Sequence, residues 1–176
     1  GVELTLNSLV TGLLSKGHTV DVVAPSNSKL FEDSKKAKLH FVDGEEQKSW
    51  QHQDYYSSVS IPNNSLLSGM TEKAIDIGKK ADIILNFSYD WLPIWMTLNI
   101  NIPIAHIISM GSESFVIRNL ISKVYSKFPN NFAFHSKIQA SDYPFIENPI
   151  VIGNGFNLSN YIFQDCKNGP LGWVGR

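Results

Sequence analysis

Cysteine is the scarcest residue in this sequence. Cys166 is the only one in 176 residues, so no intrachain disulfide can form and a reducing, cytoplasmic setting is expected. Charge of either sign is not in excess. The formal net charge of −1 gives no reason to expect nucleic acid or an anionic membrane as a partner. No apolar run approaches the roughly 20 residues that span a bilayer, so no transmembrane segment is expected, and no signal-peptide pattern is read. A dinucleotide site would place an acidic residue at the end of the second strand, yet that strand ends Ala24-Pro25-Ser26, which argues against NAD. No Ser-His-Asp, His-His-Glu or Cys-x-x-Cys pattern has diagnostic spacing, so no hydrolytic triad, metal site or redox pair is expected. The remaining composition, 43% hydrophobic and 18% charged over about one domain length, is that of a globular chain with a real core.

Two apolar runs dominate the middle of the chain. Ile83, Ile84 and Leu85 form one, and Ile104, Ala105, Ile107 and Ile108 form the other. Neither alternates with polar residues. Such runs suit strands buried on both faces, as in a parallel sheet covered by helices on each side. Strands are therefore expected over 82–87 and 103–109, joined by a short helix from Trp91. Ligands of open α/β sheets bind beyond the carboxyl ends of strands, so the loops Asn86-Phe87-Ser88-Tyr89-Asp90-Trp91 and Ser109-Met110-Gly111-Ser112-Glu113 are the first places for chemistry.

Leu6, Leu9, Val10, Leu13 and Leu14 make one helical stripe, which Gly17 should end as a left-handed cap. A strand over 18–24 follows, and another over 38–42. A helix that leads through glycine into a strand implies a strand before it, because crossover units need one. That first strand is not in the sequence, which starts at Gly1 against the helix pattern and reads as cut. In a doubly wound fold the missing piece is expected to be central. Residues 43–65 are polar and irregular, with Trp50, Tyr55 and Tyr56 scattered through them, and so long a loop is usually functional or disordered. Helices are expected over 66–80, along the Ile117, Leu120, Ile121, Val124, Tyr125 and Phe128 stripe, and from Ser136. Strands are expected over 132–135, 150–152 and 171–174. The order gives an α/β, doubly wound, Rossmann-like parallel sheet.

Residue by residue, several roles stay open. Gly1-Val2-Glu3 at a helix start offers free amides that could cradle phosphate, or Glu3 merely complements the helix dipole. Asp90, between Tyr89 and Trp91, reads as an acceptor-binding carboxylate beside an aromatic shelf or as the N-cap of the following helix, and the two are compatible. Trp95 and Met96 read as core. His106, inside an apolar strand, reads as a satisfied core histidine, and His135 as either a cap or a site residue.

Three segments carry a family resemblance. GVELTLNSLVTGLLSKGHTVDVVAP resembles the first helix and second strand of family 4 glycosyltransferases of the GT-B fold. PIVIGNGFNLSNYIF resembles their interdomain crossing, and LGWVGR the first strand of their C-terminal nucleotide-sugar domain. LNFSYDWLPIWMT, PIAHIISMGSES and FPNNFAFHS further resemble the UDP-glucose:tetrahydrobiopterin glucosyltransferases within that family. Ser109 stands where many family members have histidine, as in the pterin group, and Asn157 replaces the usual aspartate of the crossing.

The resemblance implies an acceptor-side domain over residues 1–152, a crossing over 153–170 and the start of a donor domain over 171–176. It implies metal-independent, cofactor-free, retaining transfer of glucose from UDP-glucose to a pterin-like acceptor. Partners would then be these two small molecules and the rest of the same polypeptide. Gly1, Val2, Asn154 and Gly155 would lie on the donor side, with Arg176 as part of the diphosphate clamp and further donor residues after it. Tyr89, Asp90, Trp91, Ser109, Met110 and Gly111 would line the acceptor site. The fragment alone would be inactive. A non-catalytic α/β domain that binds a small ligand is the alternative, as is a family 4 enzyme with another acceptor.

Overall fold

The computed structural model describes residues 2–28 and 36–155. The chain is an α/β protein whose described strands pair in parallel. In chain order the elements are α1 (Val2–Ser15), β1 (Asp21–Pro25), β2 (Lys38–Val42), α2 (Leu66–Gly78), β3 (Ile84–Asn86) and α3 (Trp91–Met96). They continue with β4 (Ile104–Ile108), α4 (Phe115–Tyr125), β5 (Phe132–Phe134), α5 (Lys137–Ala140) and β6 (Ile150–Val151). Strand 171–174, expected from the sequence, lies outside the described residues.

Helix α1 ends as its sequence dictates. Gly17 has φ +85°, its N–H donates to the Leu14 carbonyl at 3.1 Å, and the His18 N–H donates to the Leu13 carbonyl at 3.1 Å. That pair of bonds is a Schellman cap, which needs the left-handed conformation glycine adopts freely. Four further helices begin at a side chain that accepts a first-turn amide: Ser65, Asp90, Ser114 and Ser136. These oxygens satisfy donors that a helix start leaves unpaired.

The strands form two sheets, β2-β1 and β3-β4-β5-β6, which share no hydrogen-bonded edge among the described residues. In the smaller, Val22 and Ala24 of β1 face α1 and pack with Leu6, Val10 and Leu14. Val23, on the opposite face of the pleat, points toward α2. Helices therefore cover both faces. In the larger sheet, Ile108 of β4 with Phe132 and Phe134 of β5 forms a core with Ile94, Ile117, Leu120, Ile121, Val124 and Tyr143.

One expectation needs correction. The apolar run of β3 does not bury both faces: Leu85 is 36% exposed and Ile83 48%. The cause is position, since among the described residues β3 is the last strand of its sheet and pairs with β4 alone.

Residues 43–65 form a loop with a closed neck. The Glu45 N–H donates to the Asn64 carbonyl at 2.7 Å, and the Leu66 N–H to the Glu45 carbonyl at 3.0 Å. A Cβ on Gly44 would lie 2.7 Å from the Leu66 backbone, so only glycine lets the two ends approach. Inside the loop, residues Trp50–His52 make a 3-10 turn that buries the Trp50 ring. No helix among the described residues is long and apolar enough to cross a membrane.

Candidate functional site

The loops that leave the carboxyl ends of β3 and β4 meet over the larger sheet, and Tyr143 joins them. Its hydroxyl donates to the Gly111 carbonyl at 2.9 Å and lies 3.4 Å from the Tyr89 hydroxyl. Burial pushes both phenols above their ordinary range. Gln139 of α5 holds the second loop from the other side, its amide donating to the Ile108 carbonyl at 2.8 Å and the Met110 carbonyl at 3.2 Å. A Cβ on Gly111 would meet the Asp142 carboxylate at 2.5 Å, so glycine lets that carboxylate sit against the loop. The Ser112 hydroxyl, one residue on, is buried with no hydrogen-bond partner. The structure thus brings Tyr89 together with Met110 and Gly111, and Ser109 lies half-buried between β4 and this loop.

Tyr89, Asp90 and Trp91 are held more firmly than a free shelf would be. Tyr89 is only 8% exposed. Asp90 accepts the Trp91 N–H at 2.6 Å through Oδ1 and the Trp50 indole N–H at 3.3 Å through Oδ2. Burial raises its pKa, opposed by these two donors. Trp91 is half-buried and stacks one face on Trp95, with centroids 5.0 Å apart and planes 13° off parallel. The ammonium of Lys123 sits 4.7 Å from the Trp95 ring centroid, a cation–π contact.

Below the loops lies a fully buried polar group. The Asn86 amide donates to His106 Nδ1 at 3.0 Å, which leaves the Nε2–H to donate to Thr97 Oγ1 at 2.7 Å. Burial lowers the His106 pKa to about 4, so the ring is neutral. It ties β3, β4 and the end of α3 together. This agrees with the reading of a satisfied core histidine.

Sequence reasoning missed the exposed aromatic surface beside these loops. Tyr55, Tyr56 and Phe115 form a cluster with ring centroids 4.9, 5.4 and 6.1 Å apart. Tyr56 is 76% exposed and Phe115 40%. The cluster is built by docking the 43–65 loop on α4, where the Phe115 N–H donates to the Tyr55 carbonyl at 2.9 Å. Its only signal in the sequence was the aromatic content of a long loop.

Of the donor-side residues, Val2 opens α1, and Asn154 and Gly155 are exposed beyond β6. Gly1 and Arg176 lie outside the described residues. The His135 Nδ1–H donates to the Gly153 carbonyl at 3.0 Å and pins the chain where it leaves β6. Among the described residues no group of three or more His, Cys, Asp and Glu side chains is placed to hold a metal ion.

No family model matches the chain, and a search of curated proteins finds no match either.

Proposed function

We propose that this chain is the acceptor-side domain of a retaining glycosyltransferase that moves glucose from UDP-glucose to a reduced, pterin-like acceptor in the cytoplasm. The ordered motifs GVE, GNG and LGWVGR support the family. The parallel α/β fold is compatible with it. The observation that carries the reading is the loop cluster at the carboxyl ends of β3 and β4, with Gly111 against the Asp142 carboxylate and the exposed Tyr56–Phe115 pair a few residues on. A flat heterocycle needs an aromatic face and a few polar groups at its edge. Tyr56 and Phe115 supply the face, and the carbonyls of the Met110–Gly111 segment and the Ser109 and Ser112 hydroxyls lie on the adjoining loop.

In such a transfer, charge develops on the leaving diphosphate and on an oxocarbenium-like sugar carbon. Preorganised donors that stabilise the diphosphate are then the main catalytic contribution, the part assigned to Arg176 and the amides of Gly1 and Val2. The role of residues 89–111 is to position the acceptor, since their polar groups already hold the loops.

The test is kinetic. In a polypeptide carrying this chain with its donor domain, Tyr56→Ala should raise the acceptor KM about tenfold at unchanged melting temperature and unchanged UDP-glucose KM. Trp91→Ala and Asp90→Asn separate shelf from scaffold: a lower melting temperature with acceptor KM intact removes both from the acceptor site. Absence of any glucosyl transfer to reduced pterins would sink the activity assigned.

A binding domain without catalysis is the second reading. It is favoured by one observation: Asp90, His106, Gln139 and Tyr143 are all committed to structural hydrogen bonds. Saturable pterin binding with no transfer in the same polypeptide would select it.

A further inference from the structure

The loop over residues 43–65 is braced against itself at several points. The Gln47 side-chain amide donates to the Ser60 carbonyl at 2.9 Å, and that of Gln53 to the Lys48 carbonyl at 2.7 Å. The Gln53 N–H donates to the Trp50 carbonyl at 3.3 Å and the Ser57 N–H to the Asp54 carbonyl at 2.9 Å. Residues 50–57 are therefore two hydrogen-bonded turns in succession, with little slack between them. Whatever fastens the first turn places the second.

Trp50 fastens the first. Its ring belongs to the core of the larger sheet, and its indole N–H donates to Asp90 Oδ2 at 3.3 Å, while Asp90 Oδ1 accepts the Trp91 N–H at 2.6 Å. Capping α3 does not by itself call for a carboxylate. Helices α2, α4 and α5 are capped by Ser65, Ser114 and Ser136, and a serine there buries no charge. What serine cannot offer is two carboxylate oxygens, and at Asp90 the second one takes the indole N–H, a donor that needs a partner when buried. The second turn is held where the Tyr55 carbonyl accepts the Phe115 N–H at 2.9 Å, and the next residue is Tyr56. The Tyr56 ring, largely exposed, rests on those of Tyr55 and Phe115. One part of this aromatic face comes from the loop and the other from α4, so docking the loop assembles it.

We propose that Trp50 is a positioning residue for the ligand of this face: through Asp90 it fixes the loop so that Tyr56 and Phe115 form one surface for a flat heterocycle. Trp50 touches no ligand and acts through Tyr56. This rests on the reading of the Tyr56–Phe115 face as the acceptor site and deepens it, by assigning the geometry of that face to a hydrogen bond in the core.

The experiment is a mutant cycle on the polypeptide carrying this chain with its donor domain, read as the dissociation constant for tetrahydrobiopterin titrated without oxygen. Trp50→Phe keeps a buried ring and deletes the N–H. Asp90→Asn keeps a good cap but leaves one side-chain acceptor for two donors. Each should weaken binding about tenfold and speed amide exchange at Phe115, and either carries the test if the other does not fold. In a Tyr56→Ala background, which is itself weakened, neither should weaken binding further, because the effect runs through that ring. Val124→Ala, a core change near the far end of α4, controls for lost stability: it should lower the melting temperature and leave binding as it was. Unchanged binding in Trp50→Phe and Asp90→Asn, losses that add to that of Tyr56→Ala, or an equal loss in Val124→Ala would each overturn the proposal and leave the acceptor face standing. A parent that binds no pterin, or a Tyr56→Ala variant that binds like the parent, would remove the face itself and the proposal with it.

Discussion

The two sheets differ in what encloses them. The larger one keeps Ile94, Ile117, Ile121, Val124, Phe134 and Tyr143 out of contact with solvent, whereas among the described residues the smaller buries Val10, Val22, Ala24 and Ala37, all valine or alanine. Both have helices on their faces. What separates them is the number of described strands side by side: β4 and β5 have neighbours on each side, and among the described residues β1 pairs with β2 alone. Burial in a sheet protein is set as much by lateral neighbours as by the layer above. Apolar sequence alone does not fix it.

The widest expected gap between the two regions is in core truncation. Phe134→Ala empties a site surrounded by Ile108, Ile117 and Tyr143 and should cost about 3–5 kcal/mol. Val22→Ala in the smaller sheet removes less apolar surface from a looser site and should cost about 1–2 kcal/mol. Urea denaturation of both variants measures the difference, and equal losses would erase the contrast.

Next in size is a pH effect confined to the larger sheet. The folded His106 pKa is about 4 against 6.5 for the free residue, so the unfolded chain binds the proton more readily. Stability from this group is full above pH 6.5 and is lost as pH falls toward 4, by up to about 3 kcal/mol. Asp90 works in the opposite sense. Its raised pKa gives stability below the ordinary carboxylate range that fades as pH rises. His106→Gln isolates the histidine: the variant should be weaker than the parent at pH 7 and nearly equal to it at pH 4. A constant difference across that range would show that protonation is not coupled to folding here.

How much of this was legible in the sequence depends on the range of the interaction. The cap at Gly17, the N-cap at Asp90, the helix near Ser136, the stripe of α4 and the core placement of His106 are set by neighbours within a few residues or by an unbroken apolar run. Those were readable. The exposure of Leu85 was not, because it depends on which strand lies beside β3. Nor was the Trp50–Asp90 bond, which joins residues 40 apart in sequence. Tyr89 sits in a loop without periodicity, so nothing in the sequence says which way its ring turns. Tyr143 and Gln139 gave no signal at all, since most of their partners are main-chain groups, which every residue has.

The smallest expected effects sharpen the contrast within α1. Gly17→Ala forces a side chain into φ +85° and should destabilise the smaller sheet by about 1 kcal/mol. Gly12→Ala, in mid-helix with open space around it, should stabilise by about as much. Opposite signs by thermal melting are expected, and the same sign in both would mean α1 does not end at Gly17 in solution.

The closed neck of the 43–65 loop has a consequence for how this protein can change. Once Glu45 is hydrogen-bonded to Asn64 and Leu66, with Gly44 against the Leu66 backbone, the ends of the loop are fixed whatever lies between them. Doubling the length of chain spanned by fixed ends costs only about 0.6 kcal/mol in closure entropy. Changes of length in this loop are therefore cheap in closure entropy, and their cost lies in the contacts the loop makes on the way, the Trp50–Asp90 bond and the Tyr55 carbonyl that accepts the Phe115 N–H. The loop is a cassette: chain can be added or removed within it while its two ends stay where the neck holds them.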